Sequence, residues 1–79
     1  MTKDELMEAL SYHGWEKKGK MEMMKTEHRV HIYPSYSGDE YRVYYDGVGI
    51  AFHCSLSAIE ITGNRMKAEW EGNRVEVWI

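Results

Sequence analysis

The chain has 79 residues, of which 43% are hydrophobic and 29% charged, with a formal net charge of -3. This length supports one small domain with a single core, residues 1–79. Ten basic residues scattered among thirteen acidic ones leave no basic stripe for phosphate contacts, and the single cysteine, Cys54, excludes an intrachain disulfide framework.

A small secreted domain of this size usually carries disulfides, so a reducing cytoplasm is the expected compartment. The start, Met1-Thr2-Lys3-Asp4-Glu5, is polar and reads as no signal peptide, and no apolar run is long enough to span a membrane.

In chain order, residues 2–13 are the one expected helix. Thr2 and Glu5 have capping-box spacing, and Asp4 and Glu5 suit the positive end of the helix dipole. Leu6, Ala9, Leu10 and His13 recur at helical spacing and make one modest apolar stripe. Gly14 is placed to take a left-handed conformation after the last turn, letting Trp15 fold back on Leu10.

From residue 15 onward the period becomes two, the signature of strands. Residues 20–25 and 28–33 read as a hairpin turning at Thr26-Glu27, with Met21 opposite Ile32, Met23 opposite Val30 and Glu22 opposite His31. Met23-Met24 is a candidate bulge, and a turn at Gly19-Lys20 would make Trp15–Lys18 a further short strand. Residues 34–39 are a loop, since Pro34 removes a ladder donor and Gly38 permits positive φ.

Asp46-Gly47 reads as a type I′ hairpin turn. It pairs Tyr45 with Val48, Val43 with Ile50 and Tyr41 with Phe52, and places Cys54 on the same inner face. Arg42, Tyr44, Gly49, Ala51 and His53 fall on the other face, with Tyr44 covering Gly49. Gly63-Asn64 suits a type II′ turn and pairs Ile61 with Met66, Glu60 with Lys67 and Ile59 with Ala68. Read the same way, Gly72-Asn73 pairs Trp70 with Val75, Ala68 with Val77 and Met66 with Ile79 on the inner face. Outside, it sets Glu71 against Arg74, Glu69 against Glu76 and Lys67 against Trp78.

The predicted fold is α+β: one N-terminal helix packed on a curved antiparallel meander of about six to seven strands. A small, partly open barrel is the alternative packing. The need to bury Leu6, Ala9 and Leu10 favours the curved sheet.

No motif points to catalysis, a cofactor or a metal. His28 and His31 fall on opposite faces of a strand, as do His53 and Cys54, and no metal-ligand spacing is present. Cys54 reads as a small core hydrophobe. An enzyme is not expected, because an open sheet offers no convergent polar cleft.

Two surfaces read as partner-binding. The first is the loop from Tyr33 to Asp39: of five tyrosines within thirteen residues Tyr41 and Tyr45 read as core and Tyr33, Tyr36 and Tyr44 as free, and with Ser35, Ser37 and Gly38 among them they make a paratope-like mixture of rigid rings and adaptable polar groups. The second is the outer face of the last two hairpins. There Glu60, Glu69, Glu71 and Glu76 would make an acidic docking surface beside an exposed Trp78, or an ordinary solvated face balanced by Arg65, Lys67 and Arg74.

The leading expectation is a non-enzymatic protein-binding protein with a basic or nucleic-acid-handling protein partner. In size and make-up the chain resembles the small proteins with which phages and other mobile elements inhibit host defences, anti-CRISPR proteins among them. The likeness lies in size and composition, with no motif behind it. It implies a stoichiometric inhibitor whose carboxylates stand in for phosphates, acting in a host cytoplasm. The alternative is a self-associating structural or regulatory protein that pairs copies through a C-terminal edge strand, Trp70–Ile79. Third is single-stranded nucleic acid stacked on the tyrosines, which little flanking positive charge supports.

Overall fold

The computed structural model describes residues Met1–Ile79 and has one helix and eight antiparallel strands, an α+β fold. The helix α1 spans Lys3–Tyr12. Its N-terminus is closed by the capping box: the Thr2 hydroxyl accepts from the Glu5 N–H at 3.1 Å, and the Glu5 carboxylate accepts from the Thr2 N–H at 2.9 Å. Hydrogen bonding to Thr2 holds the Glu5 carboxyl below its usual pKa. At the other end Gly14 takes φ +88°. The Trp15 N–H then donates to the Leu10 carbonyl and the Gly14 N–H to the Ser11 carbonyl, each at 3.0 Å, which is a Schellman motif. Trp15 is thereby buried beside Leu10, as the sequence predicts.

The strands are β1 (Glu16–Gly19), β2 (Glu22–Lys25), β3 (His28–Pro34), β4 (Tyr41–Gly47), β5 (Ile50–Ser55), β6 (Ile59–Thr62), β7 (Arg65–Trp70) and β8 (Asn73–Trp78). They form two sheets of sequential neighbours, one of five strands ordered β1 to β5 and one of three ordered β6 to β8. The single meander of the prediction is broken by one 3-10 turn, Leu56–Ala58. Ser55, buried at the junction, accepts from the Ser57 N–H at 3.3 Å and donates to Glu40 Oε2 at 3.2 Å. No glycine or proline marks this corner, so the strand pattern reads straight through it.

One core joins all three layers. Leu6 and Leu10 of α1, Met23, Val30, Ile32, Val43 and Cys54 of the larger sheet, and Met66 of the smaller are fully buried within one cluster. Met7 is also buried although it lies off the predicted stripe, while Ala9 and His13 are half-buried. Lys25 Nζ caps the end of α1 by donating to the His13 carbonyl at 2.8 Å.

Two predicted registers hold. β2 pairs with β3 with Glu22 opposite His31 and Met23 opposite Val30, and the Ile32 N–H donates to the Met21 carbonyl at 2.8 Å. β6 pairs with β7 with Ile59 opposite Ala68, Glu60 opposite Lys67 and Ile61 opposite Met66. Met23-Met24 forms no bulge; the irregularity falls in β1, between Lys17 and Gly19. The extra strand is Glu16–Gly19 rather than Trp15–Lys18, because Trp15 is committed to the helix cap.

Two predicted registers are corrected, the partners moving by four residues in one hairpin and by two in the other, so inner and outer faces are preserved while partners change. In the β4–β5 hairpin Tyr45 pairs with Phe52, Val43 with Cys54 and Gly47 with Ile50. The turn is Val48-Gly49, with φ +78° at Gly49. Gly47 is instead required by a close approach, since a Cβ there would come within 2.5 Å of His28 Nδ1 and 2.7 Å of the Tyr45 hydroxyl. Those two groups share a 2.6 Å hydrogen bond directly over it. Tyr44 consequently lies between His31 and His53, not over Gly49.

In the β7–β8 hairpin the turn is Glu71-Gly72, both with positive φ, +51° and +80°. Asn73 belongs to the strand and pairs with Trp70. The shift sets Glu69 opposite Arg74 and Glu76 opposite Lys67, removing the predicted face-off of Glu69 and Glu76. The choice of register follows the charge pattern, since like charges directly opposed are unfavourable and unlike ones favourable.

Candidate functional site

Three features of the surface carry chemistry or shape. The first is the loop between β3 and β4. Its backbone is closed by the Ser35 N–H donating to the Glu40 carbonyl at 2.8 Å and the Gly38 N–H to the Ser35 carbonyl at 2.9 Å. Inside it, Asp39 Oδ1 accepts from the hydroxyl of Ser37 and, at 3.0 Å, from that of Ser35. These two donors, Ser37 first, hold the Asp39 carboxyl below its usual pKa of 3.8. Asp39 is therefore the internal strut of the loop. Tyr36 is fully exposed at its tip, and Tyr41 at its exit is partly exposed.

The loop's tyrosines do not form one cluster. Tyr33 is half-buried on β3 and lies against His31, with ring centroids 5.6 Å apart. Tyr44 is half-buried on the outer face of the larger sheet, between His31 and His53. Tyr45 belongs to the core, where it stacks on Phe52 at 5.2 Å and bonds His28. Burial raises its phenol above the usual 10.0.

The second feature is the outer face of the three-stranded sheet. Glu60, Lys67 and Glu76 form one row across it, Glu69 and Arg74 another. Arg65 donates to Glu76 at 2.8 Å and lays its guanidinium over the Trp78 ring at 4.4 Å. Trp78 faces Arg65, not Lys67 as the sequence register had it, and is 64% exposed. Each of Glu60, Glu69 and Glu76 has a cation directly opposite. Only Glu71, at the turn, stands outside these rows. The face is thus a mixed-charge surface with one exposed aromatic, Trp78.

The third feature was not legible in the sequence. The two sheets diverge beside β5 and leave a groove of about 370 Å³. The successive residues Ile50 to Cys54 form one wall, and Ala68, Trp70, Asn73 and Val75 face them, with Glu71 at the rim. Trp70 is held by Arg42, whose guanidinium lies 5.0 Å from the ring centroid and pairs with Glu40 at 2.6 Å. The Trp70 indole N–H is enclosed without a protein acceptor. Pairings within one hairpin can be read from alternation, but contacts between sheets depend on the corner at Ser55, which carries no signal. Arg42 and Trp70 were missed for this reason.

Cys54 is buried at the base of this groove. Burial pushes its thiol up to about 11, so it is protonated and unreactive at neutral pH. No three His, Cys, Asp or Glu side chains converge as metal ligands would. No helix is long and apolar enough to cross a membrane. β8 is an edge strand, as predicted, and carries Arg74 and Glu76 along its length.

The chain matches no protein-family model, no curated protein and no solved structure.

Proposed function

We propose that this is a small, non-enzymatic protein-binding protein whose anchor is Tyr36 on the β3–β4 loop. One observation carries the reading: a fully exposed tyrosine stands on a loop already fixed by Asp39 and its two serine donors. An exposed aromatic on an ordered loop contributes large contact area at little entropic cost on binding. Trp78, stacked on Arg65 at the rim of a mixed-charge face, is a second aromatic of the same kind. Glu60, Glu69 and Glu76 each lie opposite a cation, which favours the exposed aromatics over an acidic surface as the basis of binding. The partner in this reading is a protein met through aromatic contacts, with charge setting orientation more than affinity.

The test is affinity capture from lysate with three full-length proteins: wild type, Tyr36→Ala, and a variant with Glu60, Glu69, Glu71 and Glu76 all changed to Lys. A partner held by wild type and lost with Tyr36→Ala, at unchanged melting temperature, is the expected result. Retention by Tyr36→Ala with loss in the charge-reversed protein would restore the acidic-surface expectation and remove this one.

A further inference from the structure

We propose that the free edge of β5 is a binding site for an extended peptide segment of a partner protein. The segment adds to β5 as a further strand, seats apolar side chains in the groove between the sheets, and offers a Lys or Arg to Glu71. The site shares no residue with the Tyr36 loop and stands independently of it.

The two sheets have four edge strands, and three of them are guarded. β1 carries Lys17 and Lys18 and breaks register before Gly19. β6 is only four residues long and carries Glu60. β8 carries Arg74 and Glu76. Charge, irregularity and shortness are the devices by which natural sheets keep their edges from pairing. β5, Ile-Ala-Phe-His-Cys-Ser, has none of them: no Lys, Arg, Asp, Glu or Pro, and a continuous register with β4. Alternate residues of an edge strand direct N–H and C=O groups away from the sheet. On β5 those groups border an apolar groove, because residues of both parities from Ile50 to Cys54 line it.

The shape selects a single strand. Trp70 and Val75 of the smaller sheet line the groove together with β5 and bound the space beside its free edge. Five residues of β5 span roughly 16 Å at about 3.3 Å each, so the fit is to a short linear segment. The electrostatics select its charge. Glu71 makes no ion pair within the chain, and no Lys or Arg lines the groove. The Trp70 wall is braced by Arg42 and Glu40, so the groove exists before anything enters it.

The experiment pans a displayed library of random linear peptides against the full chain and follows the enriched peptides by amide hydrogen exchange. The proposal expects peptides with alternating apolar residues and at least one Lys or Arg. Binding should slow exchange at alternate amides of Ile50–Cys54 and fall at least about tenfold when the peptide backbone is N-methylated at alternate positions. Ile50→Lys, which installs a guard on an exposed position, should reduce binding by about tenfold at unchanged melting temperature, and Glu71→Lys should weaken basic peptides selectively. Absence of enrichment, or binding indifferent to N-methylation and to Ile50→Lys, would overturn the proposal. So would protection of β5 amides that rises with protein concentration alone, which would assign the edge to a second copy of the chain.

Discussion

The two sheets solve the same problem with different means. The five-stranded sheet buries Met23, Val30, Ile32, Val43 and Cys54 completely under α1 and across to the smaller sheet. The three-stranded sheet buries Met66 completely but leaves Ile61, Trp70 and Val75 only partly covered. Its outer face is instead organised as rows of opposite charge, Glu60–Lys67–Glu76 and Glu69–Arg74. Apolar burial fixes the register of the first, and charge pairing helps fix that of the second. Stability should therefore be concentrated in the larger sheet, and the smaller one should respond weakly to any single change.

The largest expected effect tests this directly. Ile32→Ala should cost about 2–5 kcal/mol, a large share of the stability of a domain this small, whereas Val75→Ala should cost about 1 kcal/mol or less. Urea unfolding of both variants gives the comparison, and equal losses would break it. Gly47→Ala comes next. Its Cβ would collide with His28 and the Tyr45 hydroxyl, an overpacking cost of about 1–3 kcal/mol. Gly72→Ala in the smaller sheet meets no atom within 4 Å and should cost only the backbone strain at φ +80°, about 1 kcal/mol. Loss of the His28–Tyr45 contact in the NMR spectrum of the first variant, and its persistence in the second, distinguishes the causes.

The larger sheet should also be the alkali-sensitive one. Cys54 and Tyr45 are acids whose folded pKa values are raised by burial. Their stabilising contribution is complete below the unfolded values and is lost as pH climbs through the folded ones. For Cys54 that window runs from its ordinary 9.0 to about 11. Denaturant midpoints measured across it should fall, and Cys54→Ala should flatten the decline. The smallest effect belongs to the charge rows. Glu69→Lys puts Lys opposite Arg74 and should destabilise by a few tenths of a kcal/mol. A gain in stability would instead indicate that Glu69 faces Glu76.

The fold was legible wherever local chemistry has one solution. Thr2 and Glu5, Gly14 with Trp15, and the Gly63-Asn64 turn each admit a single arrangement, and each is found. The registers that slipped are those with a second turn placement close by. Asp46-Gly47 looks like a turn, yet Gly47 is needed under His28, and the chain reverses at Gly49 instead. Gly72-Asn73 looks like a repeat of Gly63-Asn64, yet Glu71 accepts φ +51° so that unlike charges meet. Of the site residues, Tyr36 and Trp78 were readable as exposed aromatics from alternation and loop composition. Arg42 and Trp70 were not, since their meeting depends on the turn at Leu56–Ala58 that separates the sheets.

The strand order carries a kinetic consequence. Every strand pairs only with its neighbours in sequence, so each ladder closes through a short loop. Short closures cost little chain entropy, and chains dominated by them cross their folding barrier faster than most β-rich proteins do. The exception is the core, where Leu6 near one terminus and Ile79 at the other enter the same cluster. Hairpins can thus form independently and early, while the meeting of the two ends sets the pace of the final, cooperative step.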